Sequence, residues 1–292
     1  MKKTVGVGLA HSKIIMMGEH AVVYGYPALA LPLPRVTAIC QVTACDLPVV
    51  IDPLDPIDTA LSVALTVLDI AEPRIAYAVN SAIPEQRGMG SSAAVAIAVI
   101  RAVFDYYNQP LSDELLEDLV NKAEQVAHGN PSGLDAKTCL SDMPICYQRG
   151  QGFSPCPVRL KAHLIIADTG VYGNTSQAVQ WIAKQGETAL PMLSDLGGLA
   201  QSFLERLPEG HLPSLGELMT QAHRKLAALG VSCPEADQLV EATLSAGAFG
   251  AKMSGGGLGG CVIALTDTDE AAQAIAQNLR EKGAVNTWIE NL

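Results

Sequence analysis

Arg87-Gly88-Met89-Gly90-Ser91-Ser92-Ala93-Ala94 is the stretch on which the reading of this 292-residue chain turns. Gly88 and Gly90 let the backbone turn through positive φ and come close to a ligand. Ser91 and Ser92 add hydroxyls. From Ala93 to Phe104 the residues are nearly all apolar. That run is too long for an ordinary strand and reads as a buried helix. The unpaired N–H groups and positive dipole end of such a helix face back at the loop, which makes an anion site suited to phosphate. The loop is not a Walker A motif, because no G-x-x-x-x-G-K-[ST] occurs. A capped helix with a flexible approach is the bland alternative, and spacing alone does not choose between them.

Upstream of the loop, residues 4–9, 36–44 and 74–80 read as strands and 57–71 as an amphipathic helix. Ile14 to Val23 is apolar but broken by Gly18-Glu19-His20, a local conflict of the kind that marks sites. Downstream, Ser112 can cap a helix running to about His128, and Asn130-Pro131-Ser132-Gly133 ends it. The Gly- and Pro-rich stretch from Arg149 to Pro157 suggests a boundary, giving domains 1–155 and 156–292. The second half reads as strand 163–167, helices 175–185, 191–206, 214–229 and 234–246, strands 248–253 and 261–266, helix 269–282 and strand 284–290. That order indicates an α+β fold.

Apolar residues make up 49% of the chain and charged residues 17%, a balance that can bury a sizeable core and argues against disorder. A net charge of −11 with no Lys/Arg cluster argues against nucleic-acid binding. A polyanionic nucleotide then needs local donors and a divalent cation. Seven scattered cysteines without C-x-x-C read as free thiols in a reducing compartment. No segment reads as a signal peptide or a membrane span, which points to the cytosol.

Other candidates have bland readings beside them. The run Lys252-Met253-Ser254-Gly255-Gly256-Gly257-Leu258-Gly259-Gly260 holds five glycines, more than a loose hairpin needs. Glu124 borders the apolar stripe of its helix, and helical phase alone makes it a rim carboxylate in water; an inward carboxylate would want a partner such as a metal ion. Asp135 in Ser132-x-x-Asp135 resembles a capping box. Lys13 alone reads as a snorkelling side chain and His20 as a satisfied core histidine.

Together these segments resemble the GHMP kinases, small-molecule kinases that bind ATP without a Walker motif. Three signatures occur in order: Lys13–Gly25, Pro84–Ala94 and Lys252–Gly260. Glu124–Asp135, with its His128-Gly129-Asn130-Pro131-Ser132-Gly133-Leu134-Asp135 string, is similar to the branch whose acceptor is mevalonate. The resemblance implies a two-domain fold: an N-terminal ribosomal-protein-S5-like domain and a C-terminal ferredoxin-like α/β sandwich, with the active site in the cleft between them. By position it implies Asp135 as catalytic base and Lys13 as the lysine beside it. It implies Pro84, Arg87, Gly88, Met89, Gly90, Ser91, Ser92 and Ala93 for ATP, and Ser92 and Glu124 for Mg²⁺. Lys13, Glu19, His20, Asp135 and Thr175 fall on the acceptor side. A homodimer is among the assemblies it allows. Family branches acting on phosphorylated relatives of mevalonate, a kinase and a decarboxylase, remain alternatives, as does a non-catalytic sensor of the same fold.

Overall fold

Residues 2–128 and 133–292 are described in a computed structural model of the chain, with only the backbone at 127 and 128. Residues 129–132 of the string quoted above therefore lie outside the described residues. Two compact units share the chain. One gathers Met1–Lys13, Pro32–Pro84 and Gly90–Asp142; the other gathers Ile14–Leu31, Glu85–Met89 and Met143–Leu292.

The first unit is a strand-and-helix layer. Strand β1 (Val5–Met17) begins in it and alternates, exposing Val5, Val7 and Leu9. Gly6 and Gly8 lie between them against helix α2 (Ser91–Tyr106). A Cβ at Gly8 would stand 1.9 Å from the Ala98 carbonyl oxygen, so the strand reaches the helix only without side chains there. Strand β2 (Ala28–Ala44) pairs antiparallel with β3 (Ile75–Ser81), from Ala38 opposite Ser81 to Ala44 opposite Ile75. Helix α1 (Pro56–Val67) starts where the Asp55 carboxylate accepts from the Ile57 and Asp58 amides at 2.7 and 3.1 Å. It packs on α2 and on α3 (Asp113–His128), and Leu61, Leu65, Leu116 and Leu119 are buried in the core. A short helix, α4 (Leu134–Cys139), follows.

The second unit is a four-stranded antiparallel sheet with helices. Its strands are β6 (His163–Asp168), β7 (Gly250–Ser254), β8 (Cys261–Thr266) and β9 (Asn286–Asn291), in the spatial order β7-β8-β6-β9. Leu164, Ile165, Ile166, Val262, Ile263 and Leu265 are buried, as inner strands with covered faces require. Helices α5 (Thr175–Gln185), α6 (Leu190–Arg206), α7 (Leu212–Ala228), α8 (Pro234–Ser245) and α9 (Asp269–Glu281) complete it. The Arg149–Pro157 region is not a bare linker: β4 (Ile145–Gln148) and β5 (Gly152–Pro155) form a hairpin there, and β4 pairs with Ala28–Ala30 of β2.

Two strands run further than their sequence suggests. β1 continues to Met17 because Ser12 and Lys13, polar as they are, are buried within it. β2 starts at Ala28 although Pro32 and Pro34 lie in its path. Both prolines fall between the ladder to β4 and the ladder to β3, where those partners ask for no amide hydrogen. Gly8→Ala is expected to destabilise the protein by about 1–3 kcal/mol, because the added methyl meets helix backbone that cannot rotate away; urea unfolding of the variant measures it.

Candidate active site

In the first unit the start of α2 is the organising feature. Gly90 occupies the N-cap position at φ 71° and, lacking a side chain, makes no cap hydrogen bond, so the first amides of the helix face the loop. Gly90 serves a second purpose. A Cβ there would lie 2.9 Å from Cγ and 3.0 Å from Cε of Lys13. The lysine stem thus crosses the loop through the space a side chain would fill. Lys13 is 1% exposed, yet its ammonium meets Asp135 Oδ1 at 2.7 Å, and that carboxylate is 44% exposed. The lysine is no snorkelling side chain. The Asp135 carboxylate is turned to Lys13 in the first turn of α4, whose N-cap position is Gly133.

Glu124 departs from the reading its helical phase suggests. It is 6% exposed, and the Ser92 hydroxyl donates to its Oε1 at 2.5 Å. Phase placed it at the stripe border; the serine on the neighbouring helix draws it inward. A hydroxyl and a carboxylate are hard oxygen donors. Mg²⁺ accepts one or two such protein ligands when phosphates and water supply the rest. The donor set fits that ion, and among the described residues no group of three or more His, Cys, Asp and Glu offers an all-protein cage.

Cys139 sits beside these groups. Its thiol lies 3.8 Å from the Gly90 carbonyl oxygen, and burial pushes its pKa far up, so it packs as a small apolar residue. Lys137 reaches Glu117 at 2.6 Å, which fastens α4 to α3 and occupies that ammonium.

In the second unit the Gly18-Glu19-His20 break is a turn between β1 and a single 3₁₀ turn (Ala21–Tyr24). Ser254 secures the strand leading to it: its hydroxyl donates to the Ile15 carbonyl at 2.8 Å and accepts from the Ile15 amide at 3.2 Å. Glu19 is buried and forms an ion pair with Lys252, which is itself fully buried and donates to the Met253 carbonyl at 2.7 Å. Sequence reasoning took Lys252 only as the first letter of a glycine motif. Its burial inside β7 was the missed signal, since a lysine in an otherwise apolar strand needs a counter-charge.

His20 follows at φ 59°, a left-handed conformation that costs a non-glycine residue energy. It is 7% exposed, and its Nε2 has no hydrogen-bond partner among the described residues. Burial lowers its pKa to about 4, with the Lys252 charge acting in the same direction and a backbone hydrogen bond at Gly256 opposing it. It is therefore not the satisfied core histidine of the bland reading. The imidazole is neutral, with one nitrogen open to a ligand. Thr175 heads α5, where a Cβ on Gly256 would lie 1.8 Å from its Oγ1, so the glycine run makes room for the threonine. Arg87 is buried with its guanidinium against Asp168 Oδ1 at 2.7 Å.

These loops and signatures agree with known proteins. The GHMP kinases N terminal domain model matches residues 58–142 and the GHMP kinases C terminal model matches residues 203–285. The chain belongs to the GHMP kinase family, with its two-domain mixed α/β fold, and is an ATP-dependent kinase. Its relatives narrow the class. A mevalonate kinase of Pyrococcus horikoshii is 33% identical over 88% of this chain and 87% of its own. One from Aeropyrum pernix is 33% identical over 70% of this chain and 68% of its own. The crystal structure of the L. major mevalonate kinase in complex with R-mevalonate superposes with a TM-score of 0.85 at 25% identity, covering 99% of this chain and 98% of that one.

Two outcomes test the second unit's charges. Lys252→Met leaves Glu19 buried without its partner and is expected to cost about 3–5 kcal/mol in urea unfolding. His20 titrates near 6.5 when exposed and near 4 when folded, so the unfolded chain binds the extra proton between those values. The stability this group contributes is present above pH 6.5 and lost as pH falls to 4. His20→Asn should flatten that part of the stability-against-pH curve.

Proposed function

We propose that the chain is a mevalonate kinase, moving the γ-phosphate of ATP to the C5 hydroxyl of mevalonate. The 2.7 Å contact between Lys13 and Asp135 carries this reading, because it sets an ammonium and a carboxylate together beside the uncapped start of a helix. Phosphoryl transfer asks for positioning and charge neutralisation more than for covalent chemistry. The loop Pro84–Ala93 holds the nucleotide phosphates with the α2 amides. Ser92 and Glu124 would hold Mg²⁺, which would supply neutralisation of the phosphate charge. Asp135 accepts the hydrogen bond of the acceptor hydroxyl and turns its oxygen in line, taking the proton as transfer proceeds. Lys13 keeps Asp135 ionised and faces the transferring group. Glu19, His20 and Thr175 serve the acceptor: the open Nε2 of a neutral His20 accepts a hydrogen bond from a hydroxyl.

A phosphorylated acceptor would call for cations free to meet its second phosphate. Two basic residues near the signatures are engaged, Lys137 with Glu117 and Arg87 with Asp168, which favours the unphosphorylated alcohol. The inherited domains, on this reading, are 1–155 and 156–292, and the enzyme works in the cytoplasm.

ADP release measured with mevalonate, phosphomevalonate, homoserine and galactose is expected only with mevalonate; activity with phosphomevalonate alone would replace this substrate. Asp135→Asn is expected to lower kcat by a factor on the order of 100 or more while nucleotide binding stays near wild type. Glu124→Gln should raise the Mg²⁺ needed for half-maximal rate about tenfold; an unchanged metal titration removes Glu124 from the metal site.

A further inference from the structure

Taking the chain as the kinase proposed above, we infer that Arg87 is a positioning residue. It fixes the first half of the ATP loop onto the connection after β6, and it does not meet phosphate itself. Its Nε donates to Asp168 Oδ1 at 2.7 Å, one terminal nitrogen to the Gly170 carbonyl at 3.0 Å and the other to the Glu85 carbonyl at 3.4 Å. The guanidinium carbon lies 4.3 Å from the centroid of the Tyr172 ring, so one face of the group is covered as well. The edge with which an arginine grips a phosphate bidentately is thus spent on Asp168 and Gly170.

The surroundings explain why such a clamp is needed. The loop turns through positive φ at Gln86 (54°) and Gly88 (74°); glycine adopts this freely, but at Gln86 it costs energy that the surroundings must offset. The backbone around Arg87 is pinned at the same place: the Gly173 amide donates to the Gln86 carbonyl at 2.7 Å, and a Cβ on Gly88 would lie 3.1 Å from the Ser254 carbonyl oxygen. Asp168 Oδ1 also accepts the Gly170 amide at 2.8 Å, which shapes the connector to receive the arginine. The ion pair is nearly dry, with side-chain exposures of 9% and 5%. Three stretches distant in sequence, 85–89, 168–174 and 254–260, meet around it. The connector goes on to Thr175 and α5.

The test uses the full chain with Arg87→Gln, Asp168→Asn, the double variant and Arg87→Lys. ATP kinetics with mevalonate are measured beside direct ADP binding by calorimetry without acceptor. Arg87→Gln is expected to raise both the KM for ATP and the Kd for ADP about tenfold or more, with kcat at saturating ATP and the KM for mevalonate within about threefold of wild type. Asp168→Asn should weaken nucleotide binding in the same direction although Arg87 remains. The double variant should be no weaker than Arg87→Gln alone, because one clamp is lost once. Arg87→Lys should fall between, with a single donor in place of the fork.

Unchanged or tighter ADP binding in Asp168→Asn would overturn the inference, since it would show an arginine freed to grip phosphate. So would multiplying effects in the double variant, or a loss of kcat with KM unchanged. If Arg87→Gln does not fold, Asp168→Asn carries the same expectations; failure of both to fold assigns the pair to stability and also overturns the inference. Absence of mevalonate-dependent ADP release in the wild type would sink the proposed substrate and leave the ADP-binding comparison standing.

Discussion

An ammonium group withdrawn from water must find a negative charge, and Lys13 shows what that demand can organise. Its stem lies in the middle of an apolar strand, its path runs over a glycine, and its end meets Asp135. Each of these is a constraint on another element. β1 must carry a polar pair, Ser12 and Lys13, without losing its ladder. Residue 90 must lack a side chain, and the same absence leaves α2 without a cap from its N-cap residue. The short α4 must present its first turn toward β1, and the Lys137–Glu117 contact holds it against α3. The chemistry proposed for the chain is thus a by-product of solving a burial problem.

The second unit solves a parallel problem with a different pair. Glu19 and Lys252 are both out of water, and neither would be tolerated alone. Such a pair adds little net stability over an apolar substitute, but it fixes register: β7 has to stand where its lysine meets the turn after β1. His20 gains most from this. It is held in an unfavourable backbone conformation, neutral, with one ring nitrogen unspent. Strain and an orphaned acceptor in one residue mark a place where the structure is arranged for something other than its own stability.

The architecture was legible in the sequence to a large extent, because its helices are amphipathic and its inner strands are runs of Ile, Val, Leu and Ala. Helix α5 begins at the expected residue, and β8 runs over the expected span. The misreadings cluster where function or pairing overrode pattern. Lys13 interrupted an apolar run and shortened β1. Two prolines hid nearly the first half of β2. Glu124 looked like a rim residue because helical phase reports the average direction of a helix face, and says nothing of a serine on a neighbouring helix. Arg87 was legible as part of the loop. The partners of its side chain were not, since Asp168 and Tyr172 lie more than eighty residues away in sequence.

The interleaving of the two units has a consequence for the order of events on the ribosome. The first unit's last segment ends at Asp142, so all of its residues exist when half the chain has been made. Residues 14–31 belong to the other unit. Glu19 is synthesised 233 positions before the lysine that neutralises it. Through that interval its carboxylate stays hydrated and its turn unset, and closing so long a loop is slow compared with forming local helices. The nascent chain therefore acquires the Lys13–Asp135 pair early and the Gly18–His20 turn among the last features to form. A chain truncated shortly before β7 would hold the Lys13–Asp135 pair with an unstructured His20.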